Sequence, residues 1–91
     1  MKTLILYSKP GCHLCEGLQE KLEQIQALRF DLEIRDITTQ SDWFTAYQYE
    51  IPVLFCRTND NPTTEQPIPR PSPRLSVVQL QQFLQPYIGG E

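Results

Sequence analysis

The sequence predicts an α/β sandwich, a sheet with helices on both of its faces. Three observations carry this. Apolar residues switch between strand-like and helix-like spacing along the chain, and the segments alternate strand, helix, strand, helix, strand. The length of 91 residues leaves room for one small domain, taken as 1–91. The first two strands, joined through a helix, are expected to be parallel with a right-handed crossover.

Leu4–Tyr7 is a short apolar run ending at Pro10-Gly11, as a buried strand followed by a turn does. From Leu14 the apolar positions are Leu14, Leu18, Leu22, Ile25 and Leu28, the spacing of an amphipathic helix. Glu16, Glu20, Lys21 and Glu23 fall on its wet side. Gly17 costs such a helix roughly 1 kcal/mol relative to alanine, so a close approach is expected there. Phe30–Ile37 alternates apolar with charged residues and reads as a second strand. Ser41 or Asp42 is expected to cap a short aromatic helix through Trp43, Phe44 and Tyr47.

Val53–Cys56 reads as a central strand, with Pro52 at its start. The polar segment Arg57–Pro73 carries Pro62, Pro67, Pro69, Pro71 and Pro73. It is expected to be a loop or a poor edge strand, extended only near Ile68 and open to docking in a polyproline conformation. Ser76 with Gln79 three residues on is a capping-box signature. The helix it opens has a stripe of Val77, Leu80, Phe83, Leu84 and Tyr87 and is expected to end at Pro86 and Gly89-Gly90.

Eight basic against 11 acidic residues give a net charge of −3, and no basic run is present, which excludes nucleic acid as a partner class. The apolar opening is too short for a signal-peptide core or a membrane span. A soluble, cytoplasmic monomer is expected. Three cysteines do not make a secreted disulfide framework; in a reducing compartment a close pair points to redox or metal chemistry.

Cys12 and Cys15 stand at the start of the first predicted helix, where unpaired N–H groups and the helix dipole favour a thiolate. Three residues of helix bring Cys15 back over Cys12, so a disulfide can close with little backbone movement. Cys12 is then the exposed nucleophile and Cys15 the shielded thiol that resolves the mixed disulfide. Lys9 and His13 supply nearby positive charge that lowers a thiol pKa. The rival chemistry is metal binding. Two cysteines can hold Cu(I) or half of a zinc or iron–sulfur site, but only His13 and Cys56 remain as further ligands, which leaves a bridged dimer as the open form.

The stretch Ser8-Lys9-Pro10-x-Cys12-x-x-Cys15, with Tyr47…Ile51-Pro52-Val53 downstream and the order of elements, resembles the glutaredoxin-like family of the thioredoxin fold. The resemblance is closer still to small bacterial-type members with a CxLC motif. The resemblance implies a three-layer sandwich whose central mixed sheet has about four strands. It implies a thiol–disulfide oxidoreductase acting on protein disulfides or glutathione mixed disulfides. No cofactor is required, and glutathione or a thioredoxin-type reductase is the candidate reductant. It also implies a cis Pro52 beside the pair, an Ile51 backbone that presents N–H and C=O to the incoming thiol, and a Lys9 contact to a glutathione carboxylate. The chain departs from the pattern at His13-Leu14, where many glutaredoxins have Pro-Tyr, and at residues 69–76, which replace the Gly-Gly-x-Asp turn that holds the γ-glutamyl group.

Two other readings stand beside this one: a non-enzymatic Cu(I) or cluster-binding module, and a thioredoxin-fold interaction domain without turnover. Of the remaining residues, Cys56 is expected to be a small buried hydrophobe. Trp43, Phe44, Tyr47 and Tyr49 are expected to pack into the core. Asp36 is either a buried carboxylate serving proton transfer to Cys15 or an ordinary exposed one.

Overall fold

The computed structural model describes residues 2–58 and 61–89, with side chains at 2–57 and 64–89. Four strands, β1 (Lys2–Ser8), β2 (Phe30–Asp36), β3 (Val53–Thr58) and β4 (Asn61–Ile68), form one sheet in the order β2-β1-β3-β4. β1 and β2 are parallel, whereas β3 runs antiparallel to both β1 and β4. The sheet is therefore mixed and four-stranded, as the resemblance implied. Helices α1 (His13–Glu23) and α3 (Val77–Ile88) cover one face, and α2 (Ser41–Tyr47) covers the other. None of the described helices is long and apolar enough to cross a membrane.

β1 is central because every residue from Leu4 to Tyr7 is buried, so both of its faces need a partner. Leu4 and Leu6 point to the helical pair, joining Leu54, Cys56, Ile68, Leu22, Leu80, Leu84 and Ile88. Ile5 and Tyr7 point the other way, with Ile37 and the flanking Trp43, Tyr47 and Phe55. Cys56 is thus the buried hydrophobe expected, and its burial outweighs the Lys2 charge and pushes its thiol pKa up.

Several expectations are corrected. α1 stops at Glu23 instead of running to Leu28. Gln24 and Ile25 donate to Lys21 and Leu22, three residues back, which tightens the last turn and drops Ile25 into the core. Leu14, assigned to the buried stripe, is 51 % exposed because no element covers the first turn of α1. Lys21 is not a free wet-side residue: its Nζ donates to Pro73 O (2.8 Å) and Leu75 O (2.6 Å) and ties α1 to the segment before α3.

α2 is preceded by Gln40, not Ser41 or Asp42, and no side chain caps it. Of its aromatics Trp43 and Tyr47 pack against Tyr7, whereas Phe44 is exposed, as is Tyr49 just after the helix, by 92 %. In α3 the capping box is present, Ser76 Oγ accepting from Gln79 N–H and Gln79 Oε1 from Ser76 N–H. Pro86 lies inside the helix, which runs on to bury Ile88.

In Arg57–Pro73 the edge-strand alternative holds, and the strand is longer than the few residues near Ile68 that were expected. Residues 61–68 form a full strand that pairs with β3, Leu54 opposite Ile68 and Phe55 opposite Pro67. As an edge strand it tolerates Pro67, which cannot donate to a ladder. Residues 59–60, the Pro62 side chain and Gly90 lie outside the described residues.

On the α2 face the charged residues of the strands meet one another. Arg35 on β2 hydrogen-bonds Glu33 through Nε (2.5 Å), Glu65 on β4 through Nη2 (2.9 Å) and the Tyr7 hydroxyl through Nη1 (2.6 Å). Arg57 on β3 bridges Glu33 (3.2 Å) and Glu65 (3.6 Å). Burial would raise the Glu33 carboxyl, but the hydrogen bonds and charges of Arg35, then of Arg57, hold it below its ordinary value. Burial likewise opposes the Arg35 charge, and its bonds to Glu65, Glu33 and Tyr7 win, so its pKa is raised.

Candidate active site

The turn after β1 sets up the cysteine pair. Gly11 has φ +83°, a left-handed conformation that L side chains rarely adopt, and Cys12 N–H closes the turn on Lys9 O (3.1 Å). Cys12 then occupies the N-cap position of α1 with extended backbone (φ −87°, ψ 102°). Its sulfur accepts the Cys15 N–H at 3.2 Å, taking one of the orphan donors of the first helical turn. A thiolate at that sulfur would be held by the same N–H and by the positive end of the helix dipole.

Cys12 and Cys15 are joined as a disulfide with Cα atoms 5.3 Å apart. Cys15 is buried and Cys12 half-buried, so an incoming group reaches Cys12 first. His13 and Leu14 between them face solvent, and His13 Nδ1 lies 3.7 Å from Glu16. Lys9 is exposed in the turn before the pair.

The Ile51–Pro52 peptide bond is cis, and Pro52 is buried. Ile51 itself corrects an expectation. Its N–H already donates to Tyr47 O (3.1 Å), and its carbonyl accepts from Arg70 Nη2 (2.9 Å). The Ile51 N–H is therefore taken up by α2, whereas its carbonyl has a partner in the segment after β4 and keeps a second lone pair. Asp36 also has a definite role. Its exposed carboxylate accepts from Thr38 N–H (2.9 Å) and Oγ1 (2.6 Å), caps the one-turn 3-10 helix Ile37–Thr39, and is held below its ordinary pKa by those bonds. It is no buried proton relay.

Beside the pair a groove of about 460 Å³ runs along α1, from His13 and Leu14 past Pro52 to Arg70–Pro73 and Leu75. Gly17 opens onto it: a Cβ built there meets nothing within 4 Å, so the close approach expected at this glycine is absent. Arg70, Lys21 and Gly17 are the site residues that sequence reasoning did not assign. The signal for Arg70 was a guanidinium in the segment that replaces the glutathione-binding turn. Among the described residues no cluster of three or more His, Cys, Asp or Glu side chains could hold a metal ion.

A protein-family model described as "Glutaredoxin-like domain (DUF836)" matches residues 3–85. Among solved structures, the chain is similar to the X-ray structure of a Northeast Structural Genomics target protein from X. campestris. The two are 26 % identical, the alignment covers 91 % of this chain and 96 % of that one, and the TM-score is 0.56. No curated protein matches the sequence.

Proposed function

The chain belongs to the glutaredoxin-like domain family, and on that premise we propose that it is a thiol–disulfide oxidoreductase working through Cys12 and Cys15. The observation that carries the reading is the Cys12 sulfur at the α1 N-cap, bonded to the Cys15 N–H, with Cys15 buried one turn inside. The Cys12 thiolate attacks one sulfur of a substrate disulfide, and the other sulfur leaves as a thiolate that takes a proton. The Cys15 thiolate then attacks the Cys12 sulfur of the mixed disulfide. The substrate's second thiol is released, and the Cys12–Cys15 disulfide remains. Two electrons have passed from protein to substrate, and a thiol reductant of the cytoplasm, glutathione or a thioredoxin-type reductase, returns them.

Protein disulfides and glutathione mixed disulfides are the substrate classes. Pro52 lines the same groove as His13 and Leu14, the two residues after Cys12, and an incoming N–H meets the Ile51 carbonyl at the lone pair that Arg70 leaves free. Lys9, exposed in the turn before the pair, adds positive charge near the thiolate and meets a substrate carboxylate, and His13 is the first residue of α1 beside Cys12. Titrating the reduced protein with iodoacetamide tests the activation: Cys12 is expected to alkylate with an apparent pKa below the ~8.5 of a free cysteine. Cys12→Ser abolishes disulfide reduction, and Cys15→Ser accumulates a mixed disulfide. An ordinary Cys12 pKa together with undiminished turnover in Cys12→Ser would overturn the reading.

A further inference from the structure

We propose that the groove beside Cys12 is a specificity site for protein segments that carry a bulky apolar side chain and a carboxylate next to the reacting cysteine, with Arg70 reading the carboxylate. The inference deepens the thiol–disulfide reading and rests on it for its biological meaning. Its evidence is the make-up of one wall. Leu14, Leu18, Leu75 and Leu80 line the groove with Pro52 and Pro71, and Gly17 leaves its middle unfilled. Glutathione has no apolar side chain with which to cover such a wall; a leucine or phenylalanine side chain of a protein segment does.

The charge on this wall is one-sided. The chain holds 11 acidic and 8 basic residues, yet the ionisable groups lining the groove are His13, Lys21 and Arg70, with no acidic side chain among the described residues. Glu16 pairs with His13 but is not part of the wall. Lys21 Nζ is held by two carbonyls and acts as a fixed charge. Arg70 is exposed, and its Nη2 bond to Ile51 O holds the guanidinium beside Pro52. A guanidinium carries five N–H donors in a planar fork suited to a carboxylate, so one bond to Ile51 leaves the group competent to take a second partner.

The test uses Cys12 as a tether, so it does not depend on turnover. The Cys15→Ser variant, loaded with glutathione at Cys12, is equilibrated with hexapeptide thiols, and the exchange constant is read by mass spectrometry of the intact protein. Each exchange swaps one thiol for another and needs no oxidant. A peptide with Phe and Glu flanking its cysteine is expected to displace glutathione and to exceed its Glu-to-Lys and Phe-to-Ala counterparts by roughly tenfold each. Arg70→Gln is expected to bring the Glu/Lys ratio near one, and Gly17→Leu to bring the Phe/Ala ratio near one. Gly17→Ala, whose methyl group meets nothing, controls for folding and keeps the Phe/Ala ratio well above one. Equal exchange of all peptides, glutathione outcompeting every peptide, or preferences that survive both Arg70→Gln and Gly17→Leu would each overturn the proposal. Loss of disulfide reduction by the wild-type protein would instead sink the oxidoreductase reading and leave these ratios standing.

Discussion

On one face of the sheet Leu4, Leu6, Leu54 and Ile68 meet two helices, of 11 and 12 residues. On the other, Ile5, Tyr7 and Phe55 meet a single helix of seven. Two helices can seal a four-stranded sheet, so the buried core of the first face is apolar, leucine and isoleucine with Cys56. One short helix cannot. Beside α2 the strands β2, β3 and β4 carry Glu33, Arg35, Arg57 and Glu65, which neutralise one another, with the Arg35 guanidinium 5.4 Å from the ring centres of both Tyr7 and the α2 residue Trp43. Where helix is lacking, paired charge and cation–π contact cover the sheet. The cysteine pair sits at the end of the better-sealed face, on α1.

The hardest break is in the aliphatic face. Leu84→Ala removes a side chain with no exposure and is expected to cost about 2–5 kcal/mol in urea unfolding. On the other face Arg35→Met keeps the apolar stem over Tyr7 and Trp43 but strips the bonds to Glu33, Glu65 and Tyr7. Its expected cost is about 1–3 kcal/mol. Should it equal or exceed Leu84→Ala, the charged face carries more of the stability than this comparison gives it.

The smallest effect separates the faces by pH. Glu33 has a lowered pKa in the folded protein, so the folded state binds fewer protons there than the unfolded chain. Its contribution is present above the ordinary carboxylate range and is lost as pH falls through the folded value. Glu33→Gln is therefore expected to lower Tm at neutral pH, with the gap to wild type closing in acid. A gap independent of pH would mean that Glu33 acts by shape and not by charge. Leu84→Ala should show no such closure.

Much of this molecule was legible along the chain because its causes are local. The apolar runs of β1 and β3, the Ser76–Gln79 capping box and the Gly11 turn each act within a few residues, and so does the N-cap that gives Cys12 its hydrogen bond from Cys15. β4 was legible only as a loop or a poor edge strand, because its polar composition with proline favours neither; pairing with β3 makes it a strand over residues 61–68. The early end of α1 was hidden for the opposite reason, since Ile25 stays buried after the helix stops and so continues the apolar spacing.

By itself, then, the sequence determined the order of elements, the two-faced burial of β1 and the cysteine pair at the start of α1, because periodicity, caps and turns are short-range. Only the tertiary structure decided which groups near the pair are open. Arg70 reaches Ile51 across 19 positions, Lys21 reaches Pro73 and Leu75 across more than fifty, and Arg35 meets Glu65 across 30. Such partners are chosen by how layers stack, and nothing in the spacing of residues along one segment records them. The groove beside Cys12 is made of such choices.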